Sequence, residues 1–251
     1  MRVVTSFNRR HWDDGLAKEM VETFLKHWEG FDLWCYVNGG IPEELAALPV
    51  RTIDHYSSDH FLEDFQRTYL SATHPLIWRD GRYEYRWDAC RFAHKVCALD
   101  DATQLTRGDL VWLDADVISH ARVTPSDIRS LTEEYHDAAY LGRQGFSPEA
   151  GFLWLNLEKE GGGIVRDVHR YYRTGKIFDE PEWHDAYLFG KVLPRYASCN
   201  LTAGINGKHV WPESPLGKFC SHLKGPARKR TRTDLPDSEA LAMPDAATGS
   251  L

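Results

Sequence analysis

Gly108-Asp109-Leu110-Val111-Trp112-Leu113-Asp114-Ala115-Asp116-Val117 is the stretch that decides how the chain is read. Leu110 to Leu113 is a short apolar run, the composition of a strand covered on both faces. It leads straight into two acids, Asp114 and Asp116. On an extended backbone residues two apart point to the same side, so the two carboxylates are expected to converge. Hard oxygen ligands at the carboxyl end of a central strand suit Mg2+ or Mn2+ carrying a diphosphate. Ligands of open α/β sheets bind at that end. On its own an Asp-x-Asp triplet is more often a solvated turn or a helix cap, so its flanks matter.

Upstream, residues 86–99 carry Ala89, Phe92, Ala93, Val96 and Cys97 at helical spacing. Asp88, Arg91 and Lys95 share a second face at steps of three and four. That face is either an exposed ladder of ion pairs or a phosphate-binding edge, with Arg91 or Lys95 reaching the anion and Asp88 orienting it. Further back, Arg2 to Phe7 reads as a strand, and a helix capped by Asp13 runs to about Glu29 with Leu16, Met20, Phe24 and Trp28 on one face. Asp32 to Val37 reads as a second strand. A βαβ opening implies a parallel sheet with helices outside it. Val50 to Ile53 is a further strand, Ser57 or Ser58 caps a helix reaching about Leu70, and 74–85, with Pro75 and Gly81, reads as a loop.

Downstream, Thr124-Pro125 opens a helix. Ala138 to Leu141 and Ala150 to Leu157 read as strands around a loop at 145–149. Gly161-Gly162-Gly163 lacks nucleotide-loop spacing and reads as the lead-in to a helix over 164–174. Residues 181–189 read as a helix start whose Asp185 either caps the helix or enters the cleft. Residues from 194 on read as irregular, and 234–251 as a disordered tail behind a single domain over 1–233.

The net charge of -7 disfavours a general nucleic-acid binder. Five cysteines without a Cys-x-x-Cys pair suggest a reduced protein without a zinc finger. The N-terminal residues show no apolar leader and nothing approaches a membrane span, so a soluble cytoplasmic protein is expected.

The N-terminal βαβ unit, the 86–99 helix with the strand to Asp114-Ala115-Asp116, the Ala150-Gly151-Phe152-Leu153-Trp154-Leu155-Asn156 strand with Glu182-Trp183-His184-Asp185, and His222-Leu223-Lys224-Gly225-Pro226-Ala227-Arg228-Lys229 occur in this order. Together they resemble a glycosyltransferase of the GT-A fold: a Rossmann-like α/β domain with a mixed, mainly parallel sheet flanked by helices. The last segment is similar to the His-x-x-Gly-Pro-x-Lys element of the glycogenin and galactosyltransferase-like family, family 8. It departs from that family in carrying Arg230 after Lys229 and in lacking an Asp-Gln-Asp triplet. Small bacterial and viral GT-A branches fit as well.

The resemblance implies a nucleotide-sugar donor, UDP-linked, with Mn2+ or Mg2+ held by Asp114, Asp116 and His222. It implies base and ribose near Thr5 and Ser6, and the diphosphate near Asp88, Arg91, Lys95, Gly225 and Lys229. Asp185 would be the catalytic carboxylate. A lone histidine is otherwise a surface or packed residue, and the basic run 224–232 is otherwise a solvated tail or a contact for a polyanion. The acceptor stays open between a glycan and a hydroxylated base of viral DNA. Sugar nucleotidyl transfer, or a non-catalytic nucleotide-sugar-binding module, are the competing readings.

Overall fold

A computed structural model describes residues 1–58, 60–79 and 82–223. Gly225, Lys229, the rest of the basic run and the expected tail at 234–251 lie outside the described residues. The first half alternates β1 (Arg2–Asn8), α1 (Arg9–Asp13), α2 (Leu16–His27), β2 (Asp32–Asn38), α3 (Glu43–Ala46), β3 (Arg51–Asp54), α4 (His55–Ser58) and α5 (His60–Ile77). A hairpin of β4 (Trp78–Arg79) and β5 (Arg82–Tyr83) leads to α6 (Ala89–Leu105), β6 (Asp109–Leu113), β7 (Val117–Ser119) and α7 (Pro125–Arg129). The rest holds β8 (Ala138–Arg143), β9 (Phe146–Asn156), α8 (Gly161–Arg173), α9 (Asp185–Val192), β10 (Ser198–Asn200) and β11 (Cys220–His222).

Seven strands form one sheet in the order β10-β8-β9-β6-β1-β2-β3. β9 runs antiparallel to both neighbours, and every other pair is parallel. β6 is therefore central, as its apolar run predicts. Leu110 and Trp112 join the core layer of α6, α8 and α9, whereas Val111 and Leu113 join the layer of α2 and Trp211. All four are at most 2% exposed. Each such side chain contributes about 1.5–3 kcal/mol by leaving water, which fixes the strand on both faces.

Several boundaries move for local reasons. The first expected helix splits, because Asn8 accepts from the His11 N–H at 2.9 Å to cap α1 and Gly15 turns the chain at φ 82° before α2. α5 continues through Pro75 to Ile77 where a loop was expected. β9 begins at Phe146, so 145–149 is mostly strand and Glu149 is held on the sheet. The C-terminal part is not wholly irregular, since β10 extends the sheet and β11 pairs with β7. Thr124 and Asp127 form a capping box, as the Thr-Pro signal suggests.

Gly161 to Gly163 are not a lead-in but the first turn of α8. A Cβ on Gly161 would lie 2.7 Å from the Asn156 carbonyl oxygen and 2.9 Å from that of Asp137. These are backbone atoms that cannot swing aside. Gly161→Ala is expected to cost about 1–3 kcal/mol, read as a lower midpoint in urea unfolding. Unchanged stability would show that α8 can shift away from β9.

His55 and His94 form a second buried feature, with Nδ1 atoms 3.3 Å apart. Burial, with the His94 charge, pushes His55 down to about 3, and burial pushes His94 down to about 4. Both stay neutral in the fold while the unfolded chain takes up protons below about pH 6.5. Stability is thus complete above that value and falls with acid. At pH 5 the loss is about 2–4 kcal/mol, measurable as a falling urea midpoint between pH 7 and 5. His94→Gln should flatten that slope.

Candidate metal centre

β6 ends at Leu113, and Asp114 to Asp116 form a turn closed by the Val117 N–H donating to the Asp114 carbonyl at 3.1 Å. The two carboxylates meet through this turn, not through an extended strand as the sequence suggested. The Asp114 N–H donates to the Gly151 carbonyl at 3.0 Å, which ties the turn to β9. His222 arrives from far along the chain by an antiparallel ladder that sets it opposite Val117, one residue past Asp116. Its Nε2 lies 2.8 Å from Asp116 Oδ1 and 3.8 Å from Asp114 Oδ2. One ligand atom from each of the three side chains falls within 4.8 Å of the others. Their side chains are 27%, 15% and 3% exposed in chain order, so the cluster opens on the aspartate side.

Two carboxylates and an imidazole form an oxygen and nitrogen donor set that could hold a divalent ion. The surroundings are shaped for it. Trp211 meets the His222 ring edge-on with centroids 5.1 Å apart. A Cβ on Gly151 would come within 2.5 Å of the imidazole, so only glycine admits the ring there. Behind the ring, Glu149 Oε1 lies 3.2 Å from His222 Nδ1. A carboxylate behind a ligating histidine fixes the tautomer with Nδ1–H and turns Nε2 to the metal. Burial works against charge on His222, but Asp116, Glu149 and Asp114 outweigh it and push the imidazole up to about 9.

Without an ion, His222 is therefore a cation below about pH 9, and its contribution to stability fades as pH rises through that value. A metal must displace that proton, so apparent Mn2+ affinity is expected to rise up to tenfold per pH unit between 6.5 and about 9. Isothermal titration in buffers of different ionisation heat would record the proton released. Glu149→Gln should weaken Mn2+ by about 10–100-fold. A pH-independent affinity would remove His222 from the ligand set.

The remaining expected residues divide. Asp88 caps α6 by accepting from the Arg91 N–H at 3.0 Å, and also accepts from the Tyr83 hydroxyl at 2.6 Å. The Arg91 guanidinium donates to that same hydroxyl at 3.0 Å. Asp88 thus orients Arg91 through its backbone and through Tyr83. Burial opposes the Arg91 charge, but Tyr83, Asp88 and Asp116 hold it above its usual value.

Lys95 is not at a phosphate-binding edge. It is buried, and its Nζ lies 2.8 Å from Asp114 Oδ1, 2.7 Å from Asp185 Oδ2 and 2.7 Å from the Ala150 carbonyl oxygen. Burial disfavours its charge, yet Asp114 and Asp185 keep it above the ordinary lysine range. Asp185 starts α9 and its side chain is 3% exposed. As placed its carboxylate lies against Lys95 within the fold. The helix is capped by His184, whose side chain accepts from the Tyr187 N–H. Thr5 is wholly buried with its hydroxyl unpartnered, so it offers nothing to a ribose, whereas Ser6 is partly exposed.

No protein-family model matches the chain, and no curated protein matches it. Among solved structures the chain is similar to the apo structure of the bifunctional glycosyltransferase WbbM, at TM-score 0.49 and 12% identity over 80% of this chain. It spans only 38% of that chain's length.

Sequence reading overlooked Glu149, Gly151, Trp112 and Tyr83. Trp112 Nε1 donates to Asp114 Oδ1 at 2.7 Å, and so completes the set of donors that aims this carboxylate. The only signal for it was position: Trp112 lies two residues before Asp114, on the strand that ends at Leu113. Glu149 had no motif at all, because its partner is a histidine supplied by another strand.

Proposed function

We propose that this chain is a metal-dependent glycosyltransferase that moves a sugar from a nucleotide-sugar donor, UDP-linked, to a hydroxyl acceptor. The observation that carries the reading is His222 reaching the Asp114–Asp116 turn at the end of the central strand. In the reaction the bond from the sugar anomeric carbon to the diphosphate breaks, a bond to the acceptor oxygen forms, and the acceptor hydroxyl gives up its proton. A divalent ion at this site would supply Lewis-acid neutralisation of the departing diphosphate.

The protein's own groups do the rest. Asp114 and Asp116 present carboxylate oxygens to the open side, and Glu149 and Trp211 keep His222 Nε2 facing them. Arg91 adds a fixed positive charge where negative charge accumulates, without reorganisation at the moment of reaction. Lys95 sets its ammonium between Asp114 and Asp185 from beneath, a counter-charge for both carboxyl groups. Among the described residues no helix is long and apolar enough to cross a membrane.

The test is a panel of nucleotide sugars assayed for hydrolysis with Mn2+, Mg2+ or EDTA, alongside thermal shifts with UDP. Metal-dependent release of UDP, with a shift that EDTA abolishes, is expected. Release of nucleoside monophosphate and sugar phosphate would indicate nucleotidyl chemistry instead. An ion-dependent UDP shift without turnover on any donor would mark a binding module.

A further inference from the structure

A cavity of about 850 Å³ lies between the β8–β9 hairpin, α9 and the segment after β10. Tyr140, Phe146 and Tyr187 give it aromatic surface, and Gln144, Asn200 and Thr202 give it neutral polar groups. Phe146 is 55% exposed, a large ring left facing solvent at the rim. We propose that this cavity is the subsite for the acceptor, and that the acceptor is a neutral oligosaccharide. The proposal rests on the glycosyltransferase reading above and names its unassigned substrate.

Charge decides the chemical class. Among the described residues, Arg143 and Lys191 are the only charged side chains lining the cavity. Arg143 spends its guanidinium internally: Nε donates to the Ser147 carbonyl at 2.7 Å, Nη2 to the Pro148 carbonyl at 2.9 Å, and Nη1 lies 3.4 Å from Glu149 Oε2. Lys191 Nζ is 2.5 Å from Glu180 Oε1. Both cations are committed, so an anionic ligand would have to break an existing pair to find a counter-charge. A phosphate chain or a DNA strand needs the opposite arrangement, a basic groove with cations to spare.

What remains on offer suits a polyol. Asn200 Oδ1 already accepts from the Gly142 N–H and the Thr202 N–H, and the Thr202 hydroxyl donates to the Gly142 carbonyl at 2.7 Å, so the Asn200 amide hydrogens are the group left for a ligand oxygen. Aromatic faces take the apolar C–H faces of sugar rings while amides take the hydroxyls, the mixture that defines a specific small-ligand pocket. A cavity of this size exceeds what a single sugar ring needs.

Position supports the assignment. Pro148 lines the cavity, and its neighbour Glu149 stands behind His222 at the metal centre. Tyr140, Pro148 and Leu193 also line a narrow crevice that Lys95 and Glu149 share. Pro148 and Glu149 thus belong to a wall that the cavity shares with the metal centre.

The full chain, with UDP and Mn2+, can be applied to a glycan array of neutral α- and β-linked oligosaccharides, sialylated and uronate-bearing glycans, and a single-stranded DNA oligonucleotide. Binding confined to neutral glycans is expected, with saturation-transfer NMR on the best of them. Phe146→Ala and Gln144→Ala, both at exposed positions, should each weaken that glycan about tenfold or more. The ligand-free melting temperature controls for folding. Absence of any neutral glycan from the array, preference for acidic glycans or DNA, or unchanged glycan affinity in both variants would each overturn the proposal. The UDP and Mn2+ thermal shift reads the metal site separately. Its loss, with neutral-glycan binding intact, would sink the glycosyltransferase reading and leave the cavity a saccharide site.

Discussion

Asp116→Ala is expected to reduce metal-dependent turnover of the donor by about 10²–10³-fold or more, the loss that follows removal of one preorganised electrostatic partner of a departing anion. Two effects combine. A ligand atom disappears from a three-residue set, and His222 loses the carboxylate that accepts its Nε2 hydrogen at 2.8 Å. The fold should tolerate the change, because the bond that pins the turn to the last described segment is backbone: the Leu223 N–H donates to the Asp116 carbonyl at 2.9 Å. The EDTA-sensitive thermal shift should vanish, and the metal-free melting temperature should fall as well, because the buried His222 loses its nearest counter-charge. Turnover that survives Asp116→Ala would place the ion elsewhere.

Lys95→Met has the larger structural consequence. It removes the cation between Asp114 and Asp185 and leaves Asp185, with a side chain 3% exposed, as an uncompensated buried charge. Breaking a buried pair from one side costs about 3–5 kcal/mol, or a fall in Tm of roughly 6–20 °C for a chain of this size. Lys95→Met combined with Asp185→Asn removes both charges and should recover most of the loss. That recovery separates an ion-pair effect from a packing effect, since the side chain at 95 is the same in both variants. Equal destabilisation in the single and double variants would mean that the lysine stem, not its charge, matters. In the double variant Asp114 still lacks one donor, so metal affinity should stay below that of the parent chain even where stability returns.

How much of this was legible follows from the range of each interaction. β6 was readable because both faces of a central strand are apolar, and a local run of four residues reports that directly. The α7 cap was readable because Thr124 and Asp127 act within one turn. Asp114 and Asp116 were legible as a pair, but the turn that joins them was not, because it is set by a hydrogen bond to Gly151 on another strand. His222 was found through its resemblance to a motif, yet the β7–β11 ladder that delivers it has no local signature. The contact between Lys95 and Asp185 was not legible, for one reason. Each looks like a free charge on a helix, and only the packing of α9 against α6 and β9 turns them into a buried pair. Glu149 was invisible, since a glutamate near a loop-like Ser147-Pro148 has no reason to be sealed until β8 and β9 pair.

The account turns on where the ion sits. Crystals of the full chain grown with UDP and Mn2+, measured at the manganese absorption edge, would give an anomalous peak. One peak is expected about 2–2.3 Å from carboxylate oxygens of Asp114 and Asp116 and from Nε2 of His222, with the diphosphate on its open side. A peak that leaves His222 uncoordinated, or a nucleotide held without the ion, would contradict it.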